Sequence, residues 1–222
     1  MKYSRRDAKK YTREHMTGVW AAIPYPFTDD GLIDEAGLRR DLRRYVDDLK
    51  IDGLFIGGLV GEVWSLTMDE RRHGQQIVLD EVNGATQIIA HTGAASIRDT
   101  VALTQEAQKL GADLAITGNP PLNSRHPEVI RNFFEAVCAE TDLGVGLFNT
   151  PISGYSLTPQ QIAETMASHE VSPKGLGSAI RMVQYFINRY GKSRMEPAWL
   201  DRLNEAKRIL QDKLRAQNAA GK

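Results

Sequence analysis

An α/β architecture built on a parallel sheet follows from three features of the chain. Short apolar runs alternate with longer amphipathic stretches, and the alternation repeats five times at roughly 30 residues per unit. Several of the runs end in glycine-rich or polar loops, as strands delivering residues to a working face do. Successive strand-then-helix units imply right-handed crossovers and parallel pairing. A closed barrel and an open doubly wound sheet both satisfy that pattern. No Gly-x-Gly-x-x-Gly follows the first run, which weighs against a dinucleotide-binding sheet.

Residues 1–17 form a basic leader, read as a helix solvated on one face; Asp7, Glu14 and the lack of an apolar core argue against a secretory signal. Residues 18–169 hold the five units. The first strand is expected over Gly18–Phe27, with Pro24 and Pro26 at its exit because proline cannot donate to a ladder. Leu38, Leu42, Tyr45, Val46 and Leu49 then recur at helical spacing, with the intervening arginines and aspartates on a solvated face. The second strand starts at Gly53 and runs into the corner Gly57-Gly-Leu-Val-Gly-Glu62. Its helix starts at Thr67-Met-Asp-Glu70, a capping box. Gln87–Gly93 is the third strand, and Ser96-Ile-Arg-Asp99 starts a helix in the same way, ending near Gly111. Asp113–Pro120 is the fourth strand. The helix after it has Pro127 in its first turn and Val129, Ile130, Phe133, Phe134, Val137 and Cys138 on one side. Gly144–Pro151 is the fifth strand, and Thr158-Pro-Gln-Gln161 caps the fifth helix. Residues 170–222 read as helical, with Ile180, Val183, Ile187 and Tyr190 on one stripe and Leu200, Leu203, Leu210 and Leu214 on another. A full eight-unit barrel takes about 250 residues, so five units leave the architecture incomplete.

Composition narrows the function classes. Lys+Arg and Asp+Glu each total 28 in 222 residues, so no net field draws in nucleic acid or an acidic membrane surface, and partners are expected in a pocket. One cysteine, Cys138, excludes an internal disulfide framework, and no stretch approaches the roughly 20 apolar residues of a membrane span. A soluble protein of the reducing cytoplasm is the expectation. No histidines or carboxylates have metal-ligand spacing, so neither metal nor cofactor is expected.

Four stretches together carry a family likeness: Gly18-Val-Trp-Ala-Ala-Ile-Pro-Tyr-Pro-Phe-Thr28; Gly58-Leu-Val-Gly-Glu62 followed by Ser65-Leu-Thr-Met-Asp-Glu-Arg71; His91-Thr-Gly-Ala94; and Phe148-Asn-Thr-Pro151. In order and spacing over about residues 17–168 the chain resembles the dihydrodipicolinate synthase and N-acetylneuraminate lyase family of class I aldolases. That resemblance implies a TIM-type (β/α)8 barrel, here incomplete, with five recognisable βα units followed by C-terminal helices. It also implies an active-site lysine that forms a Schiff base with pyruvate or another 2-keto acid, usually in a homotetramer. Asn188-Arg-Tyr-Gly191 looks like the family's C-terminal helical region, which places the missing sixth to eighth units between His169 and about Ser178.

Carried over residue by residue, the family site departs from its pattern. The corner usually reads Gly-Thr-Thr-Gly-Glu; here Leu59 and Val60 replace the threonines, leaving backbone N–H groups between Gly58 and Gly61 to hold a carboxylate. Phe148 occupies the position of the proton-passing tyrosine and cannot donate a proton. A second expected tyrosine falls near Leu122, and Asn149 follows Phe148 at the site. These replacements favour a larger or more apolar substrate. The imine needs a largely neutral amine. Lys174 falls within about one residue of the expected register, yet Ser172-Pro-Lys-Gly-Leu-Gly177 reads as an exposed turn. Glu62 closes the carboxylate corner or ties its backbone together, and His91 acts as acid, base or lining residue. Trp64 roofs the pocket or meets a neighbouring subunit, and Cys138 is expected to be a buried, inert thiol. Three functions remain open: a keto-acid lyase, a shortened non-catalytic relative that associates with itself or a full-length partner through exposed barrel edges, and a small-acid binding protein.

Overall fold

Five strands pair in sequence order, all parallel: β1 (Trp20–Ala22), β2 (Gly53–Ile56), β3 (Gln87–His91), β4 (Leu114–Gly118) and β5 (Val145–Phe148). They are seen in a computed structural model that describes residues 2–119, 126–149, 156–190 and 195–220. The helices are α1 (Ala8–His15), α2 (Glu35–Arg43), α3 (Met68–Val82), α4 (Ile97–Leu110), α5 (Pro127–Ala139), α6 (Pro159–Ala167), α7 (Leu176–Tyr190) and α8 (Pro197–Ala220). These are five βα-type units of a TIM-type barrel followed by C-terminal helices. Among the described residues the sheet does not close, and β1 and β5 are its edges.

The strands are shorter than the apolar runs suggested, and β1 shows why. Ile23 still donates its N–H to the Phe55 carbonyl (3.1 Å), but Pro24 and Pro26 have none to give, and Phe27 pairs instead with Ile33 across a turn. The helix starts follow their caps. Thr67 and Thr158 make both halves of a capping box, which fixes the first turns of α3 and α6. Ser96 completes only one half: it accepts from the Asp99 N–H, while the Asp99 carboxylate takes the Ser96 hydroxyl instead of its backbone.

Side-chain alternation divides the sheet into two faces. Leu54, Ile56, Ile88, Ala90 and Ala115 point to the helices and are fully buried with Leu38, Leu42, Ile77, Val78 and Val82. Each such leucine or isoleucine contributes about 1.5–3 kcal/mol. Phe55, Ile89, His91, Ile116 and Phe148 lie on the other face and are only partly buried. That face is concave. Three strand steps between β2 and β5 span about 14 Å in a flat sheet, yet the Phe55 and Phe148 ring centroids are 6.0 Å apart, so the sheet rolls the two rings toward each other.

Several expectations need correction. Leu49 and Val129, expected on packed stripes, are 52% and 43% exposed, and Cys138 is half-buried. α2 passes into a π-helical turn over Arg44–Asp48, which rotates Leu49 off the stripe. The arginine face of α2 is not simply solvated, because Arg39 and Arg43 both pair with Glu81 on α3 and tie the two helices. The leader is anchored as well: the buried Asp113 carboxylate accepts from Lys2 Nζ (2.7 Å), the Tyr11 hydroxyl (2.7 Å) and the Ile88 N–H (2.9 Å).

The chain divides into two compact units, residues 1–155 and 156–222. The second has its own core of Ile162, Ala163, Ala179, Val183, Leu203, Ala206 and Leu210 from α6, α7 and α8. The helix expected to complete the fifth strand unit, α6, therefore packs with the C-terminal helices.

Candidate functional site

The corner after β2 is shaped by its backbone. Gly57 takes a left-handed φ of 61°, which glycine adopts without strain. A Cβ at Gly58 would come within 2.7 Å of the Phe55 ring, so only glycine lets the corner lie on that ring. Gly61 donates to the Gly58 carbonyl (3.1 Å) and Glu62 to that of Leu59 (3.1 Å), closing tight turns. The Gly61 amide is thus engaged inside the corner. The Leu59 and Val60 N–H groups make no hydrogen bond among the described residues and stand at its outer bend. Glu62 is exposed with φ 53°, and it is its carbonyl, accepting from the Ser65 N–H and hydroxyl, that braces the corner. Leu59, Val60 and Trp64 expose 53%, 51% and 69% of their surface and give the corner an apolar rim.

His91, the last residue of β3, sits on the concave face with its ring 6.5 Å from that of Phe55. Burial, reinforced by the Arg71 guanidinium, holds its pKa down at about 4 against a hydrogen bond to the Gly57 backbone, so it is neutral near pH 7. Arg71 Nη2 lies 3.4 Å from both His91 Nδ1 and the His91 carbonyl, and Gln75 Nε2 donates to the same carbonyl (3.3 Å). The Tyr25 hydroxyl and Gln75 Oε1 are buried with no hydrogen-bond partner among the described residues. Burial raises the Tyr25 pKa, so the phenol keeps its proton. A neutral imidazole braced by arginine fits a lining residue better than a general base.

Phe148 ends β5, and Asn149 beyond it accepts a hydrogen bond from Asn119 Nδ2 at 3.2 Å. Gly58 to Glu62, His91, Phe148 and Asn149 thus all lie at or just past strand C-termini. Leu122 lies outside the described residues. Lys174 belongs to the second unit: it is exposed in the turn between α6 and α7, where Gly175 N–H closes on the Ser172 carbonyl (2.8 Å). Phe55, Tyr25, Arg71 and Gln75 are site residues that pattern reading did not single out. Phe55 was legible in principle, since it alternates with two core residues and so must face the other side of the sheet. No described group of three His, Cys, Asp or Glu residues is arranged to hold a metal, and no described helix is long and apolar enough to cross a membrane.

A rolled parallel sheet with its candidate-site residues gathered at the strand C-termini defines a barrel-type α/β protein. The comparisons with known proteins give that class a family. The family model described as the dihydrodipicolinate synthetase family matches residues 15–200, and the chain belongs to that family. N-acetylneuraminate lyase from Clostridium perfringens is 28% identical over 189 residues, 85% of this chain and 63% of the lyase. Among solved structures, YagE, a prophage protein of the dihydrodipicolinic acid synthase family from E. coli K12 in complex with pyruvate, is 31% identical with a TM-score of 0.60. The match covers 67% of this chain and 50% of YagE. CdNal from Clostridium difficile, in complex with mannosamine, is 27% identical with a TM-score of 0.63, covering 70% and 54%. The chain therefore spans about 63% of the length of that curated lyase.

Proposed function

We propose that this lyase-family chain binds a small 2-keto acid at the C-terminal face of its sheet and is impaired in the lysine Schiff-base chemistry of an aldolase or hydro-lyase. The observation that carries the reading is the corner itself: the adjacent amides of Leu59 and Val60, at its bend, make no hydrogen bond among the described residues, while those of Gly61, Glu62 and Val63 donate back into the corner. Paired backbone amides of this kind suit a carboxylate. Chemistry beyond binding needs an amine at the carbonyl carbon, and none of the five strands carries a lysine. Phe148 offers no proton for imine formation either.

Two measurements test this. Pyruvate with borohydride, followed by mass analysis, is expected to leave the protein unmodified; an adduct mapping to one lysine, Lys174 included, overturns the impairment. Calorimetric titration is expected to detect keto-acid binding that falls at least tenfold in Leu59→Pro. That substitution removes one of the two unbonded amides, at the second position of a turn where proline is tolerated. Unchanged affinity in this variant overturns the carboxylate assignment.

A second reading is a non-catalytic protein acting through association with its own kind or a longer relative. The outer edges of β1 and β5, unpaired among the described residues, favour it, as do Met182, Tyr185 and Phe186 on α7, which are 43%, 61% and 46% exposed.

A further inference from the structure

The edge strand β5 borders a groove beside the leader helix. The Ala115 N–H donates to the Gly144 carbonyl (2.9 Å), so in the parallel ladder the backbone groups of Gly144 and Gly146 face β4. Those of Val145 and Leu147 turn outward, where no strand pairs with them among the described residues. On the concave side α1 rests on the sheet at Gly144, where an added Cβ would lie 3.0 Å from the Ala8 Cβ. Over Gly146 the helix stands off: the three atoms nearest to a Cβ there belong to β4, at 3.5–3.7 Å. The groove, of about 410 Å³, is lined by Leu114, Gly144, Val145 and Gly146 and, from α1, by Lys9 and Arg13. Arg5 of the leader pairs with Asp142 (3.8 Å), whereas Lys9 and Arg13 make no ion pair among the described residues.

We propose that this groove takes up an extended segment of another protein chain, which adds a strand to the edge of β5 and presents acidic side chains at alternate positions to Lys9 and Arg13. The inference rests on the second reading above, that the sheet edges recruit a partner, and names that partner's chemistry. The outward N–H and C=O groups of Val145 and Leu147 are what the backbone of an added strand bonds to. Gly146 has no side chain to hold another backbone away. Lys9 and Arg13 are about 6 Å apart along the helix, and side chains two residues apart on a strand lie about 6.6–6.8 Å apart on one face. A Glu-x-Glu repeat therefore matches the two cations. A lysine repeat would meet like charge.

The test is fluorescence anisotropy on the full chain with a labelled Val-Glu-Val-Glu-Val-Glu-Val peptide, its lysine counterpart, and two forms of the acidic peptide N-methylated at opposite sets of alternate amides. The acidic peptide is expected to bind at least tenfold tighter than the lysine peptide, and less tightly as salt is raised. Lys9→Glu with Arg13→Glu is expected to reverse the preference, and capture of the lysine peptide also shows that this variant folds. One N-methylated peptide is expected to lose at least tenfold in affinity and the other little, because only alternate amides face the edge. Hydrogen exchange at Val145 and Leu147 is expected to slow on binding. No binding of the acidic peptide, a preference that survives the charge reversal, or equal binding by both N-methylated peptides overturns the proposal. If the peptide fails, Leu147→Lys judges the edge reading separately: a smaller assembly mass keeps the edge as a contact between copies, and an unchanged mass removes it.

Discussion

His91 shows how a single side chain's surroundings decide its role. An exposed histidine titrates near 6.5, but burial and the neighbouring Arg71 hold this one at about 4. The unfolded chain therefore takes up a proton between these values that the folded chain refuses, and stability rises with pH across that window. The contribution is complete above about 6.5 and is lost as pH falls toward 4. Glu70 and Glu81 have pKa values held below the usual carboxylate range by hydrogen bonds from Thr67 and from the Arg43 and Arg39 pair. Their contributions are lost at lower pH, so the interval from 6.5 to about 4.5 isolates the histidine. Urea midpoints measured at pH 7, 5.5 and 4.5 are expected to fall steadily in the native chain and to stay level in His91→Gln; parallel declines in the two proteins would rule out this assignment. The residue type at the end of a strand was readable from the chain. Its neutrality was not, because Arg71 lies 20 positions away and approaches only after α3 has packed.

At the scale of elements, what was legible was whatever is encoded locally. The capping threonines place the starts of α3 and α6 because donor and acceptor are three residues apart. The leader's anchor was hidden for the opposite reason: Asp113 is about a hundred residues away. There Tyr3 and Tyr11 stack at 4.4 Å, and the Tyr3 hydroxyl bridges the Asp113 carbonyl and the Gly144 N–H at the starts of β4 and β5. Burial and the Asp113 carboxylate push the Tyr11 pKa up to about 12, so this hydroxyl remains a donor throughout the ordinary pH range. Asp113→Ala leaves the Ile88 N–H, the Tyr11 hydroxyl and Lys2 without their acceptor, and is expected to cost about 3 kcal/mol. In a chain of this size that lowers the thermal midpoint by roughly 6–12 °C. Tyr11→Phe, which removes one of the three bonds, is expected to cost about 1 kcal/mol. Thermal unfolding followed by circular dichroism decides it: an Asp113→Ala midpoint within a degree or so of native means the leader is not fastened there.

For the whole molecule, the periodic alternation of strand and helix foretold five parallel strands in order, because each βα unit is specified by its own run of residues. The grouping of α6 with α7 and α8 was hidden, since Ile162 and Ala163 would suit a helix packed on a sheet as well as one packed on Val183 and Leu210. What the molecule leaves uncovered then bears on its assembly. Met182, Tyr185 and Phe186 lie exposed on one face of α7 and line an apolar groove of about 610 Å³ with Ile162, Met166 and Leu203. A monomer leaving such a surface in water forgoes about 25 cal/mol for each Å² it could bury. Two copies pressing these faces together would recover it. Light scattering behind a sizing column is accordingly expected to give a mass that is a multiple of 24.7 kDa and falls on dilution. The double substitution Met182→Glu with Phe186→Glu is expected to return it to one chain, because opposed carboxylates would face each other across the pair. Leu147→Lys on the edge strand β5, where Leu147 is 47% exposed, is expected to leave the mass unchanged. If Leu147→Lys breaks the assembly and the α7 pair does not, the sheet edge is the interface instead. A native mass of one chain at every concentration removes self-association from the account altogether.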